Sequence, residues 1–250
     1  MNNNYDLIID EAHPSPNYNQ RIFNLVLHYT ALNFETSLKV LTDPKREVSA
    51  HYLIPETDID GQRKIFQLVQ EKERAWHAGV SNWKNRSGLN DTSIGIEIVN
   101  LGYTDKDGKR TWYPFTDYQI ESVIEISKII IERYQIQATN IIGHSDIAPG
   151  RKLDPGPLFP WKKLYENDIG AWYDEKSLEI KPNAKIDLQK LQKNLRTFGY
   201  AINITGKLDQ QTRTVVQAFQ MHFRPNNYSG DPDAETIAIL ENLIKKYFSN

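Results

Sequence analysis

Between residues 141 and 157 the sequence reads IIGHSDIAPGRKLDPGP, and inside it His144, Lys152 and Asp154 offer an imidazole, an ammonium and a carboxylate within eleven positions. Its prolines and glycines break both helical and strand periodicity, so a loop is expected here, opened by the strand-like TNII. A proline-stiffened loop carrying ionisable groups is either surface filler or the rim of a reaction site. The chain has six histidines. His28 and His144 fall at or just after strand ends, where ligand sites in α/β sheets gather. His13 sits in a polar arm, and His222 comes late in a helix, where packing or contact with the helix C-terminal dipole accounts for it. Two imidazoles and a carboxylate, His28, His144 and Asp154, suit zinc and leave a fourth position for water. On spacing alone, unrelated strand-end histidines fit the same pattern.

These residues need elements to position them. NLVLHYT (24–30) alternates as a strand, with Val26 and His28 on one face and Leu25 and Leu27 on the other. NFETSLKVLTD follows as a short helix, and SAHYLIP and KIFQLVQ read as two strands joined by a turn around DIDGQ. In TSIGIEIVN (92–100) Ile94, Ile96 and Ile98 share one side while Gly95 and Glu97 share the other. An acid opposite an all-isoleucine face is costly unless that second face lines a cleft. TDKDGKRTWYPF reads as a polar hairpin and lacks the ligand series of a calcium loop. Thr116 and Gln119 form a capping-box pattern before a long amphipathic helix ending near Tyr134. The alternation predicts an α/β domain, a mixed central sheet flanked by helices. After EIKPNAKID, read as a linker, three amphipathic segments predict a small all-α three-helix domain. The expected division is an arm over 1–21, a catalytic domain over 22–177 and a helical domain over 178–250.

Composition narrows the function. With 30 basic and 32 acidic residues well mixed, there is no basic stripe of the kind that binds nucleic acid. The absence of cysteine excludes disulfides, a thiolate nucleophile and a cysteine zinc site. No apolar run is long enough for a transmembrane helix. The start MNNNYDLIIDEAHPSPNYNQ lacks the basic and apolar regions of a secretory leader.

LVLHYTA, VSAHYLIP, RAWHAGVSNW, LNDTSIGIEIVN and GHSDIAPGRKLDPGP occur in this order. Together they resemble the zinc-dependent N-acetylmuramoyl-L-alanine amidases of the AmpD/AmiD type, over about residues 22 to 173. The resemblance implies the fold shared with phage lysozyme-amidases and peptidoglycan recognition proteins. It implies Zn2+ held by His28, His144 and Asp154, and cleavage between the muramyl lactyl group and L-alanine. It assigns Glu97 as general base and then acid, and Lys152 as donor to the developing oxyanion. Trp76, His77, Asn90 and Asp91 lie in motifs that border the cleft, and Arg86 is a candidate for a peptide carboxylate. His51, in SAHY, is implied to be a structural or cleft-wall residue rather than a ligand.

LQKNLRTFGY, GKLDQQTRTVVQAFQMHF and GDPDAETIAIL resemble the three-helix peptidoglycan-binding module, with HFRPNNYSGDPD longer than the usual link. Such a module implies tethering to peptidoglycan or muropeptides. It favours a polymeric substrate and a periplasmic or cell-envelope location, whereas the missing leader favours the cytoplasm. Two other readings follow: a non-catalytic peptidoglycan-recognition protein, and a cytosolic recycling amidase acting on soluble anhydromuropeptides.

Overall fold

A computed structural model describes residues 8–182 and 185–249, so part of the expected arm and part of the expected linker lie outside the described residues. Residues 8–21 are exposed and irregular. The α/β part then runs β1 (Asn24–Tyr29), α1 (Phe34–Thr42), β2 (Tyr52–Ile54), β3 (Phe66–Gln67), β4 (Asn82–Trp83), β5 (Arg86–Ser87) and β6 (Ser93–Ile98). It continues through β7 (Tyr103–Lys106), β8 (Lys109–Trp112), α2 (Asp117–Tyr134), β9 (Ile141–Gly143), α3 (His144–Ile147) and α4 (Trp161–Tyr165). The helical part holds α5 (Leu188–Phe198), α6 (Gln210–Phe223) and α7 (Ala234–Phe248).

The main sheet is five-stranded, in the order β3-β2-β6-β1-β9. Neighbours β2, β6, β1 and β9 pair in parallel, and β3 closes one edge antiparallel. It is therefore the mixed sheet that the pattern predicts, flanked by helices. The register pairs Val26 with Gly95 and His28 with Glu97. Registered residues of parallel neighbours point the same way, so His28 and Glu97 emerge side by side from the carboxyl end of the sheet. Leu25, Leu27, Ile94, Ile96 and Ile98 are fully buried in the core.

Helix α2 begins with the predicted capping box, in which the Thr116 hydroxyl accepts from Gln119 N and the Gln119 side chain accepts from Thr116 N. Ile120, Val123, Ile126 and Ile130 form its buried stripe. One local expectation is corrected. The segment after β9 is not loop throughout, because His144–Ile147 makes a single helical turn. Asp146 Oδ2 accepts from Gly143 N at 2.8 Å, and Ala148 N donates to the His144 carbonyl, which together close the turn despite the poor periodicity.

The helical part packs directly on the α/β part through aromatic rings. Trp83 stands edge-on to Phe198 and Tyr200, and Trp161 stacks on His222 with ring centres 3.8 Å apart. Gly199 ends α5 with φ of 148°. A Cβ there would overlap the Trp83 ring, so the glycine lets the two parts close. In the long link after α6, the Tyr228 hydroxyl accepts from Trp112 Nε1 at 2.8 Å, which places that extra length against the β7–β8 hairpin.

Candidate active site

A cavity of about 360 Å³ opens at the carboxyl end of the sheet, lined by residues that include Trp76, His77, Glu97, His144, Lys152 and Asp154. At its base His28 Nδ1, His144 Nδ1 and Asp154 Oδ2 form a nearly equilateral triangle with edges of 2.9, 3.0 and 3.0 Å. All three residues are buried. β1 delivers His28, the turn after β9 delivers His144, and the backbone bond from Ser145 N to the Asp154 carbonyl folds the loop back so that Asp154 completes the triangle.

The protonation of the two imidazoles is assigned by their outer partners. Ser93 Oγ donates to the Leu89 carbonyl at 2.6 Å, so its proton is committed. His77 Nε2, 3.2 Å from Ser93 Oγ, must then be the donor, which leaves His77 Nδ1 as acceptor. His28 Nε2, 3.0 Å from that nitrogen, carries a hydrogen, and His28 Nδ1 faces the cavity with a lone pair. His144 Nε2 lies 3.1 Å from the Ala78 carbonyl and 3.2 Å from Arg151 Nη2, whose two hydrogens go to the Ala78 and Val80 carbonyls, so Nε2 carries its own hydrogen and leaves the Nδ1 lone pair inward. Two imidazole lone pairs and a carboxylate oxygen at this spacing repel unless a cation or a proton lies among them. The donor set, two nitrogens and one oxygen, is that of catalytic zinc sites, and each histidine has the outer hydrogen bond that fixes a ligand ring. The residues therefore fit a zinc ion.

Electrostatics agree with this polarity. Burial, then the neighbouring His144, lowers the His28 pKa to about 4, so the ring is neutral at pH 7. Burial, then the Asp154 charge, pushes Glu97 up to about 8, with Lys152 opposing. Its Oε2 is buried without a protein partner. In the metal-free cavity such a carboxyl holds its proton near neutrality, and a dication held by His28, His144 and Asp154 would favour the carboxylate that can take one.

The other expected residues divide. Trp76, 48% exposed, forms part of the cavity wall. His77 sits behind His28 as the ring that orients it, and Gly95 makes room because a Cβ there would overlap the His77 ring. Asn90 is buried, its Oδ1 accepting from the backbone N–H groups of His77 and Ala78, so it holds the segment that braces both imidazoles. Asp91 is exposed and paired with Arg74. Arg86 lies outside the cavity, its guanidinium 4.1 Å from the Phe23 ring centre. His51 is structural: its Nδ1 accepts from Gly95 N, and its Nε2 lies 3.2 Å from the Glu73 carbonyl. Of the two readings of His222, packing holds, since the ring is buried and stacked on Trp161, and its Nδ1 bonds Asp146 Oδ2 across the contact between the two parts. Sequence reasoning missed Tyr103 and Arg151 on the cavity wall. The only local sign of Arg151 was its place in the chemistry-bearing loop. It donates to the carbonyls of Ala78 and Val80 and so pins the strip opposite His144.

Comparison with known proteins places this geometry. A family model described as N-acetylmuramoyl-L-alanine amidase matches residues 18–157, and a peptidoglycan binding domain model matches residues 186–240. The amidase AmiD of Escherichia coli (strain K12) is 46% identical over 234 residues, 91% of this chain and 84% of AmiD. The structure of E. coli AmiD in complex with anhydro-N-acetylmuramic acid-L-Ala-D-gamma-Glu-L-Lys superposes with a TM-score of 0.89 at 43% identity, covering 97% of this chain and 96% of that one. AMPDH3 from Pseudomonas aeruginosa in complex with an anhydromuramic pentapeptide gives a TM-score of 0.88 at 46% identity, covering 96% and 99%. The motifs in order, the inward-facing His28, His144 and Asp154, and the match across both parts lead to one conclusion: this chain belongs to the N-acetylmuramoyl-L-alanine amidase family.

Proposed function

We propose that the chain is a zinc amidase of polymeric peptidoglycan, cutting between the lactyl group of N-acetylmuramic acid and the L-alanine that begins the stem peptide. The observation that carries this reading is the triangle of unprotonated donors at the base of a cavity, with Glu97 and Lys152 beside it. His28, His144 and Asp154 would hold the ion, which would supply a Lewis acid for the amide carbonyl and the attacking water. Glu97 takes the proton of that water and returns it to the leaving alanine nitrogen. Lys152 donates to the carbonyl oxygen as it becomes an oxyanion. Trp76 offers an apolar face at the mouth, suited to the sugar or peptide.

The helical domain over residues 178–250 supports the polymeric substrate, since a tethered module raises the local concentration of wall around the cavity. It supports a periplasmic or cell-envelope location for the same reason. No helix among the described residues is long and apolar enough to cross a membrane. A second reading, cleavage of soluble anhydromuropeptides, is favoured by the anhydro ligands named in the AmiD and AMPDH3 complexes.

Digestion of purified insoluble sacculi, with mass spectrometry of the released material, tests the proposal. Free stem peptides starting at L-alanine are expected, lost with a chelator and restored by zinc. No release from sacculi, together with cleavage of soluble anhydromuropeptides, overturns the polymeric substrate. Cleavage of neither leaves a recognition protein.

A further inference from the structure

The contact between the two parts of the molecule is built around a buried charge. Asp146 is 1% exposed and lies two residues after His144. Its Oδ1 accepts from the Tyr200 hydroxyl at 2.6 Å, and its Oδ2 from Gly143 N at 2.8 Å. Oδ2 also lies 2.8 Å from His222 Nδ1. Tyr200 and His222 belong to the helical part and are themselves buried. The His222 ring stacks on Trp161 at 3.8 Å and on Phe223 at 4.0 Å, which leaves it little freedom to turn away. A carboxylate removed from water needs all of these donors, because losing one leaves an uncompensated buried charge. Gly143, held by that carboxylate, is the residue that leads directly into His144. The next residue, Ser145, donates to the Asp154 carbonyl, so the same turn also fixes the other end of the ligand loop.

We propose that the helical part is a component of the active site as well as a tether: Tyr200 and His222 clamp Asp146, and Asp146 positions the turn that aims His144 at the metal. Tyr200, His222 and Asp146 are positioning residues in this scheme, acting through the backbone at 143–145. The inference rests on the zinc reading of the His28, His144 and Asp154 site.

The test uses the full chain, stripped of metal. Zinc affinity is measured by competition with a chromophoric chelator, and ligand geometry by the visible absorption of the cobalt(II) form. Tyr200→Phe keeps the ring against Trp83 and removes one donor; His222→Phe keeps the stack and removes the other. Each is expected to weaken zinc binding about tenfold and to shift the cobalt spectrum. His222→Asn, whose amide nitrogen can take the place of Nδ1, is expected to recover part of the affinity. Arg224→Ala serves as the control, since Arg224 pairs with Asp233 and Glu235 inside the helical part. It is expected to lower thermal stability without moving the cobalt spectrum. If Tyr200→Phe and His222→Phe lower the melting temperature but keep wild-type affinity and spectrum, the clamp is structural only and the proposal fails. Should His222→Phe not fold, the Tyr200→Phe result decides alone. A wild-type chain that binds neither ion overturns the zinc reading itself, a result distinct from equal binding by wild type and variants.

Discussion

Two aspartates are buried against histidine in this molecule, and their surroundings differ in the number of protons supplied. Asp146 receives a tyrosine O–H, an imidazole N–H and a backbone N–H, and its pair with His222 is closed. Asp154 faces His28 Nδ1 and His144 Nδ1, whose rings have spent their hydrogens on His77 and the Ala78 carbonyl. Both clusters are buried and both pair Asp with His, so neither burial nor residue type separates them. The count of donors does. A carboxylate supplied with donors forms a brace, and a cluster of acceptors alone recruits a cation.

Substitution can break that difference from either side. The largest effect is expected from Asp154→Asn, which puts an N–H among the lone pairs and gives the first cluster the character of the second. Metal content after dialysis should fall to background, with turnover on sacculi down by more than about a thousandfold. Glu97→Gln leaves the acceptor triangle whole but removes the proton carrier. A loss of about 10³ in kcat with metal content unchanged is expected, and retained activity would take Glu97 out of the mechanism. Lys152→Ala should cost roughly 10² in kcat, again with metal retained, as expected for one donor to an oxyanion.

Acid sharpens the comparison further. In the metal-free protein His28 titrates near 4, against 6.5 for an ordinary imidazole. Between those values the unfolded chain binds a proton that the folded chain refuses, so the His28 contribution is lost as pH falls from 6.5 to 4. It amounts to roughly 3 kcal/mol. Glu97 has the opposite sign. Its folded pKa of about 8 lies above the ordinary 4.5, so it destabilises the fold as pH rises through that window. The two slopes oppose each other between 4.5 and 6.5. Chemical denaturation of the metal-free protein should therefore show a steeper rise in stability from pH 4 to 6.5 in Glu97→Gln than in wild type, with the lowered His51 and His77 adding to the slope in both. A flat profile in the variant would refute a His28 that the fold holds neutral. The smallest effect belongs to Arg86→Ala, which should change kcat/KM less than about twofold because the side chain lies outside the cavity and is exposed.

How much of this was legible follows from the range of the interactions. His28 and Glu97 were readable because strand alternation alone puts them on the face opposite the leucines and isoleucines, and the parallel register then makes them neighbours. His144, Lys152 and Asp154 share one short loop whose motif is distinctive. The single turn at 144–147 was not readable, since it depends on a carboxylate bonding back to Gly143 rather than on apolar spacing. The partners of Asp146 stand 54 and 76 residues away, and nothing in a helix pattern says that a tyrosine and a histidine will meet across a domain contact. Asn90 was placed at the cleft by its motif, but its bond to the 77–78 backbone gives it the different task of bracing the histidines. Arg86 was a candidate by side-chain chemistry and Asp91 by its motif, and only the fold shows which way an exposed arginine or aspartate faces.

Gly95 contributes no atom to the cavity, yet the orientation of His28 depends on it. The volume it leaves vacant is where the His77 ring lies, and that ring sets which nitrogen of His28 looks inward. A single methyl group at this position would press on the ring while leaving every residue of the cavity wall chemically intact. The aim of His28 thus turns on a space one carbon wide behind the cavity, which the His77 ring fills.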